Sequence, residues 1–355
     1  MHPWGLCRQS VRILPGCAFF FFPLYFPAKC GILALRADAA RGKEPRMKKI
    51  IAVCLGLLLL LPLAGCGAAA EDVSVMATFY PVYILAENVL DGVEGVKLSS
   101  MTPPSTGCLH DYQLLTSDMK ALAKAQALLV NGAGMESFLP GLAGQFPSLK
   151  IIDCSLGVEL LAEEEQEEEH EHEHEHEHGE YNAHIWLAPQ NAVQMVKNLR
   201  DGLAELLPEQ AAQIGANAEQ YIARLEALDA ELREAIAELP NKKIVTFHEA
   251  FPYFAKAYGL EVAAVVALEP DEPISPRMLK QVIQQVKEAG NPPLFSEPQY
   301  ENTALRTVAQ ETGAQVFELD PLVTGDGSLT AYEDTMRRNL EVLREALGER
   351  PAGSN

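Results

Sequence analysis

Residues 208–239 read PEQAAQIGANAEQYIARLEALDAELREAIAEL. Apolar side chains recur in this stretch at the three- and four-residue spacing of one helix face, at Ile214, Tyr221, Leu225, Leu228, Leu232 and Ile236. No proline interrupts the pattern between Pro208 and Pro240. The spacing therefore predicts a single helix of about thirty residues, far above the ordinary mean of roughly 11–12.

Short apolar runs alternate with amphipathic helical patterns on both sides of this segment. On its N-terminal side the predicted strands are residues 73–78, 96–100, 127–131 and 149–153, with helices at 117–125 and 189–206. On its C-terminal side the predicted strands are residues 243–247, 261–266, 293–295 and 315–318, with helices at 251–258, 276–289, 302–312 and 332–347. Such alternation is typical of parallel sheets covered by helices. The predicted fold class is α/β: two α/β lobes with mainly parallel sheets, joined by one long rigid backbone helix.

The segment that begins at Met47 has the basic start and the apolar run of a secretory signal. The apolar run, residues 50–63, is shorter than the roughly 20 residues of a membrane span. It ends in Leu63-Ala64-Gly65-Cys66, which resembles the lipobox of bacterial lipoproteins. We therefore expect residues 47–65 to be a signal peptide and Cys66 to carry a diacylglycerol thioether. A plain secretory signal is the alternative.

The other segment boundaries follow from these features. Residues 1–46 are expected to be upstream sequence translated from a wrong start codon, and residues 66–72 a lipid-anchored tether. The N-terminal lobe is predicted at 73–207, the linking helix at 208–239 and the C-terminal lobe at 240–355. The protein is thus expected outside the cytoplasm, anchored to the cell membrane.

An acidic stretch, residues 163–180, lies within the predicted N-terminal lobe. It holds five histidines that alternate with glutamate: His170, His172, His174, His176 and His178. Neutral imidazole is a good metal ligand, but a run of like charges without aliphatic side chains cannot offset an ordering cost of about 1–2 kcal/mol per residue. We interpret the stretch as an accessory metal-capture loop. The net formal charge of −21 disfavours nucleic acid as a partner and favours cations.

Three histidines outside this loop, His110, His184 and His248, each stand where a predicted strand or loop meets a helix. Ligands of parallel α/β sheets gather at the carboxyl ends of the strands. The three side chains could therefore converge on one cleft between the lobes. Three unrelated surface or capping histidines are the alternative that spacing alone leaves open.

Eight motifs occur in one order along the chain: Thr78-Phe-Tyr-Pro-Val-Tyr83, His110-Asp-Tyr-Gln-Leu114, Asn131-Gly-Ala-Gly-Met-Glu136, His184-Ile-Trp-Leu-Ala-Pro189, Phe247-His-Glu-Ala-Phe251, Ser275-Pro276, Ser296-Glu-Pro-Gln299 and Leu319-Asp-Pro-Leu322. They resemble the zinc- and manganese-binding lipoproteins of metal ABC importers, solute-binding proteins whose two lobes are joined by a rigid helix. The resemblance covers almost all of residues 73–350. It implies a monomeric binding protein, not an enzyme, that hands a metal ion to a permease with its ATPase subunit.

Carried over onto this sequence, the resemblance implies that His110, His184 and His248 ligate the metal. Asp320 occupies the position where many members place a carboxylate ligand, and either Asp320 or a water would complete four ligands. Manganese-type members carry Glu where His248 stands, so Zn²⁺ is the expected metal and Mn²⁺ the less favoured one.

Other residues near these motifs have two interpretations or depart from the family pattern. Glu297 either orients a metal ligand or caps a helix. Leu109 stands where zinc-type members often have an acidic residue, and Asn182-Ala183-His184 replaces the usual Asp-Pro-His. Cys108 and Cys154 permit a disulfide outside the cytoplasm without implying one.

Two other functions compete with metal transport at this level. An anchored zinc hydrolase would need an open coordination position and a general base, but His248-Glu249 is not followed by the second histidine of a His-Glu-x-x-His helix. A metal buffer or adhesin would act through residues 163–180 alone.

Overall fold

Four parallel strands form the sheet of the N-terminal lobe in a computed structural model. They are β1 (Val73–Ala77), β2 (Val96–Ser100), β3 (Ala127–Val130) and β4 (Lys150–Asp153), in the order β2-β1-β3-β4. The interior strand β3 is buried at every residue, as expected of a continuous apolar strand covered on both faces. Helices α1 (Tyr80–Val89), α2 (Thr116–Leu122) and α3 (Leu139–Leu142) belong to this lobe.

The C-terminal lobe repeats the same arrangement. Its parallel strands are β5 (Lys243–Thr246), β6 (Glu261–Val265), β7 (Leu294–Ser296) and β8 (Val316–Glu318), in the order β6-β5-β7-β8. Its helices are α6 (Pro252–Tyr258), α7 (Pro276–Glu288), α8 (Thr303–Thr312) and α9 (Ala331–Leu347). Within each lobe the second strand lies outside the first, so the two lobes share a topology that no sequence repeat indicates.

Helices α4 (Pro189–Leu206) and α5 (Ala211–Ala237) connect the two sheets. The long helix α5 has 27 residues, and its predicted apolar face is buried. It packs against α1 and α4 on one side of the molecule and against α6 and α9 of the C-terminal lobe. The predicted two-lobe α/β fold with a long connecting helix is confirmed.

Several predicted helices differ from the structure: the helix predicted at 117–125 ends at Leu122, and the short helix α3 was not predicted. Helix α5 begins at Ala211 and not at Pro208, because the chain first closes a turn in which the Gln210 amide donates to Leu207 O at 3.0 Å. Helix α1 was not predicted, since eight of its ten residues are buried and the sequence shows no amphipathic period there.

The structure describes residues 72–103, 109, 112–142, 144–162, 180–266, 275–298 and 303–348, all within the unit Gly67–Asn355. The predicted signal peptide, Cys66, Cys108, His110 and the five loop histidines lie outside these residues. Across the described ranges no helix combines the length and apolar character needed to cross a bilayer. The predicted segment boundaries, including those of the lobes, stay predictions.

Candidate metal centre

His248 and Glu297 lie at the carboxyl ends of two neighbouring strands, β5 and β7. The Nδ1 atom of His248 is 2.6 Å from Oε1 of Glu297, whose side chain is only 3% exposed. A carboxylate can only accept a hydrogen bond, so Nδ1 carries the proton of the neutral imidazole. The lone pair of the neutral ring is then on Nε2. Glu297 is thus a buried residue in hydrogen-bond contact with His248.

His184 is fully buried and stands just before the 3₁₀ turn Ile185–Leu187. Its backbone N–H donates to Oδ1 of Asn182 at 3.0 Å, and its Nδ1 lies 3.3 Å from the same oxygen. The backbone N–H of His184 can donate only to an acceptor, so this atom of Asn182 is the amide oxygen. Nδ1 of His184 can approach that oxygen as a donor, and we therefore place the proton of the neutral ring on Nδ1. Nε2 of His184 therefore carries the lone pair, as in His248.

The two imidazoles come from different lobes and are in contact. Their ring centroids are 4.8 Å apart, with the planes at 88°. The ring of Trp186, which is fully buried, lies 5.2 Å from the ring of His184. The structure thus brings His184, His248 and Glu297 to one place at the junction of the lobes.

Asp320 follows strand β8, at the same sheet edge as His248 and Glu297. Its Oδ1 accepts the Leu322 amide at 2.8 Å, and its backbone N–H and C=O both bond to the side chain of Asn339. Burial raises the pKa of Asp320, while the Leu322 amide and the Arg338 charge lower it. Within the described ranges, no three His, Cys, Asp or Glu side chains form a group able to hold a metal. The third predicted histidine, His110, lies outside those ranges.

Polar contacts between the lobes surround Trp186 and Tyr80. The indole Nε1 of Trp186 donates to Pro321 O at 2.8 Å, and the Tyr332 hydroxyl donates to Trp186 O at 2.7 Å. The Gly327 amide donates to the Tyr80 hydroxyl at 3.2 Å. A Cβ on Gly325 would stand 2.0 Å from that hydroxyl oxygen, so the two lobes approach too closely there for any side chain.

The turn after β3 supports the His184 segment in a way that the sequence did not reveal. Asn131 donates from Nδ2 to Ala183 O at 2.9 Å, directly before His184. Gly132 adopts φ +79°, and a Cβ there would stand 2.1 Å from Oδ1 of Asp153. The motif Asn131-Gly-Ala-Gly-Met-Glu136 can be recognised in the sequence. Its contact with Ala183 cannot, because that contact forms only in the folded chain.

Glu136 closes this turn with a buried carboxylate. It accepts the Thr78 hydroxyl and the Asn131 amide at 2.7 Å each, and the Gly132 amide at 3.0 Å. Burial raises the pKa of Glu136 from 4.5 to about 7, although the three hydrogen bonds lower it.

Cys154 is a buried thiol that makes no disulfide within the described part of the chain. Burial raises the pKa of this thiol, and the charges of Glu136 and Asp153 raise it further.

Glu136→Gln is expected to change the pH dependence of stability. Between pH 4.5 and about 7 the folded protein binds more protons at this carboxyl than the unfolded chain does. Glu136 therefore makes the wild type more stable as the pH falls through that window. Urea unfolding at a series of pH values should show the wild type gaining stability relative to Glu136→Gln as the pH falls. Parallel pH profiles would contradict the prediction, and Glu234→Gln, at an exposed position of α5, is the control.

Two parallel α/β lobes joined by a long helix have the fold expected of a two-lobed solute-binding protein. Residues 75–346 match the family described as zinc-uptake complex component A, periplasmic, and the chain belongs to that family.

Three similar proteins illustrate the relationship. The chain is 30% identical over 294 residues to the zinc-binding protein AdcA of Streptococcus pyogenes serotype M3, covering 78% of this chain and 56% of the relative. It is 29% identical over 309 residues to the high-affinity zinc uptake system protein ZnuA of Brucella abortus, covering 78% and 92%. A crystal structure of a ZnuA deletion mutant with zinc bound has a TM-score of 0.66 and 27% identity, covering 79% of this chain and 100% of that one. The chain thus spans little more than half the length of the AdcA relative.

Proposed function

We propose that the protein captures Zn²⁺ outside the cytoplasm and delivers it to the permease of an ABC importer, which works with an ATPase subunit. His110, His184 and His248 would ligate the ion, with Asp320 or a water as the fourth ligand, and lipid on Cys66 would anchor the protein to the membrane. The observation that carries the proposal is the contact of the two imidazoles across the lobe junction.

The chemistry of the donors supports zinc over manganese. Two imidazoles with Nε2 lone pairs suit tetrahedral Zn²⁺ at about 2.0–2.1 Å, whereas Mn²⁺ prefers oxygen ligands. The Glu297 carboxylate is bonded to His248 Nδ1, an arrangement that fixes the orientation of a zinc-bound histidine. The names of two relatives, a zinc-binding protein and a zinc uptake system protein, agree with this choice.

Deleting the acidic loop tests whether the fixed site or the loop binds zinc tightly. Ala162 and Tyr181 form an antiparallel bridge at the base of the loop, so Asn-Gly can replace residues 163–180 as a two-residue hairpin turn. We expect the shortened protein to keep one tightly bound zinc per chain in a competition titration with a chromophoric chelator. It should lose only the weaker additional binding of the loop histidines.

The opposite result would give the protein a different function. If tight binding disappears with the loop, the protein is a metal buffer that acts through residues 163–180. The full-length protein, titrated in parallel, is the control, and its melting temperature without metal should match that of the shortened form.

A further inference from the structure

Asn182 is the one side chain that bonds to both histidine segments within the described residues. Its Oδ1 accepts the backbone N–H of His184, and its Nδ2 donates to the carbonyl oxygen of Glu249 at 2.8 Å. Glu249 directly follows His248 and belongs to the other lobe. Asn182 is almost fully buried. One amide therefore links the backbone of the His184 segment to the backbone of the His248 segment.

Tyr253 of helix α6 adds a second connection at the same place. Its hydroxyl donates to Asn182 O at 2.8 Å and accepts the Leu161 amide at 3.0 Å. The Asn182 amide in turn donates to Leu161 O at 2.9 Å. A hydroxyl group of the C-terminal lobe thus bonds to both chain segments at the base of the acidic loop. We call the contacts made by Asn182 and Tyr253 the interlobe link.

The chemistry of an amide explains why asparagine serves at residue 182. A neutral amide can accept a hydrogen bond at His184 while it donates one to a carbonyl group. An aspartate at the same position would keep the acceptor but lose the donor, and its second oxygen would face the oxygen of Glu249. The link therefore depends on the nitrogen of the amide, which donates to Glu249 O.

We propose that Asn182 and Tyr253 are positioning residues that hold His184 and His248 in register for the metal before it arrives. The proposal rests on the zinc-binding function proposed above. A ligand binds with an affinity reduced by the fraction of protein that is competent to bind. Breaking the interlobe link lowers that fraction, so it weakens zinc binding without changing the bound site.

Two variants and one control test this proposal. Asn182→Ala removes the amide that bonds to Glu249 and His184 without adding a charge, and Tyr253→Phe removes the hydroxyl. Asn198→Ala is matched to the first, since Nδ2 of Asn198 also donates to main-chain oxygens, those of Cys154 and Leu156, away from the lobe junction. Each variant is titrated with zinc against a chelator, and with Co²⁺, whose visible spectrum reports the coordination geometry.

Zinc affinity should fall roughly fivefold to thirtyfold in Asn182→Ala and in Tyr253→Phe, the factor that corresponds to about one hydrogen bond. Affinity should be unchanged in Asn198→Ala. The Co²⁺ spectrum at saturation should match the wild type in all three, because the ligands are the same once the metal is bound. In the metal-free protein, backbone amides of residues 158–162 and 181–186 should exchange with deuterium faster in the two link variants.

Wild-type affinity in both link variants would overturn the proposal, as would an altered Co²⁺ spectrum in Tyr253→Phe. If Asn182→Ala does not fold, Tyr253→Phe decides alone. Failure of the proposed function is a separate result, because the wild type itself would then bind no stoichiometric zinc. The exchange measurement needs no metal, so unchanged exchange in both variants overturns the link in that case too.

Discussion

Replacing His184 by alanine is expected to weaken zinc binding by roughly 100-fold to 1,000-fold, and replacing His248 to do the same. Structural sites bind Zn²⁺ with a free energy of about 10–16 kcal/mol. One of four ligands therefore contributes about 2.5–4 kcal/mol, and each 1.4 kcal/mol corresponds to a tenfold change in affinity. Both side chains stand at the lobe junction, with their ring centroids 4.8 Å apart. The measurement is a competition titration of the metal-free proteins at neutral pH.

The controls separate the fixed site from the loop. Alanine at all five loop histidines, His170, His172, His174, His176 and His178, should leave the tight site intact and reduce only weak zinc binding. Glu297→Gln should have an intermediate effect. Its zinc affinity should fall roughly 10-fold to 100-fold, the usual result of changing a residue that orients a metal-bound histidine. If His184→Ala keeps wild-type affinity while the loop variant loses it, the proposed ligands are wrong.

The sequence predicted those parts of the fold that local patterns determine. The face of α5 from Ile214 to Ile236 repeats at helical spacing and is buried in the structure. The apolar runs of β1, β3 and β5 are interior strands of their sheets. Helix α4 begins at Pro189 and ends at Leu206, as predicted, because proline fits the first turn of a helix and the apolar period stops at its end.

Contacts between distant segments could not be predicted in the same way. Asn182 looked like a departure from the family motif, yet it bonds to Glu249, 67 residues further along the chain. The ring of Tyr253 is buried, as its place in the apolar pattern of α6 suggests, but its hydroxyl bonds to Leu161 and Asn182. Neither contact has a local signal, because both exist only once the lobes are in place. The pairing of His248 with Glu297 could be anticipated, since each follows a strand of one parallel sheet.

Trp186→Ala is expected to lower the free energy of unfolding of the metal-free protein by about 3–5 kcal/mol, the usual cost of removing a buried aromatic side chain. Trp186 is fully buried, meets Phe79 edge-on at 5.2 Å, and donates to Pro321 O of the other lobe. Denaturant unfolding measures the loss. Trp186→Phe keeps an aromatic ring but leaves the Pro321 oxygen unpaired, so it should cost only about 1–3 kcal/mol. A loss below 1 kcal/mol in Trp186→Ala would show that the contact between the lobes contributes little to folding.

Zinc should distinguish this loss of packing from a loss of ligand. A metal that binds only the folded state stabilises it by about 4 kcal/mol at a free concentration 1,000 times the dissociation constant. Trp186→Ala retains His184 and His248, so saturating zinc should restore much of its stability. His184→Ala also removes a fully buried side chain and should be less stable than the wild type without metal, but, unlike Trp186→Ala, it should gain little stability from the same zinc concentration. If zinc fails to stabilise Trp186→Ala, then Trp186 is needed to hold His184 in its metal-binding position, since the two rings are only 5.2 Å apart.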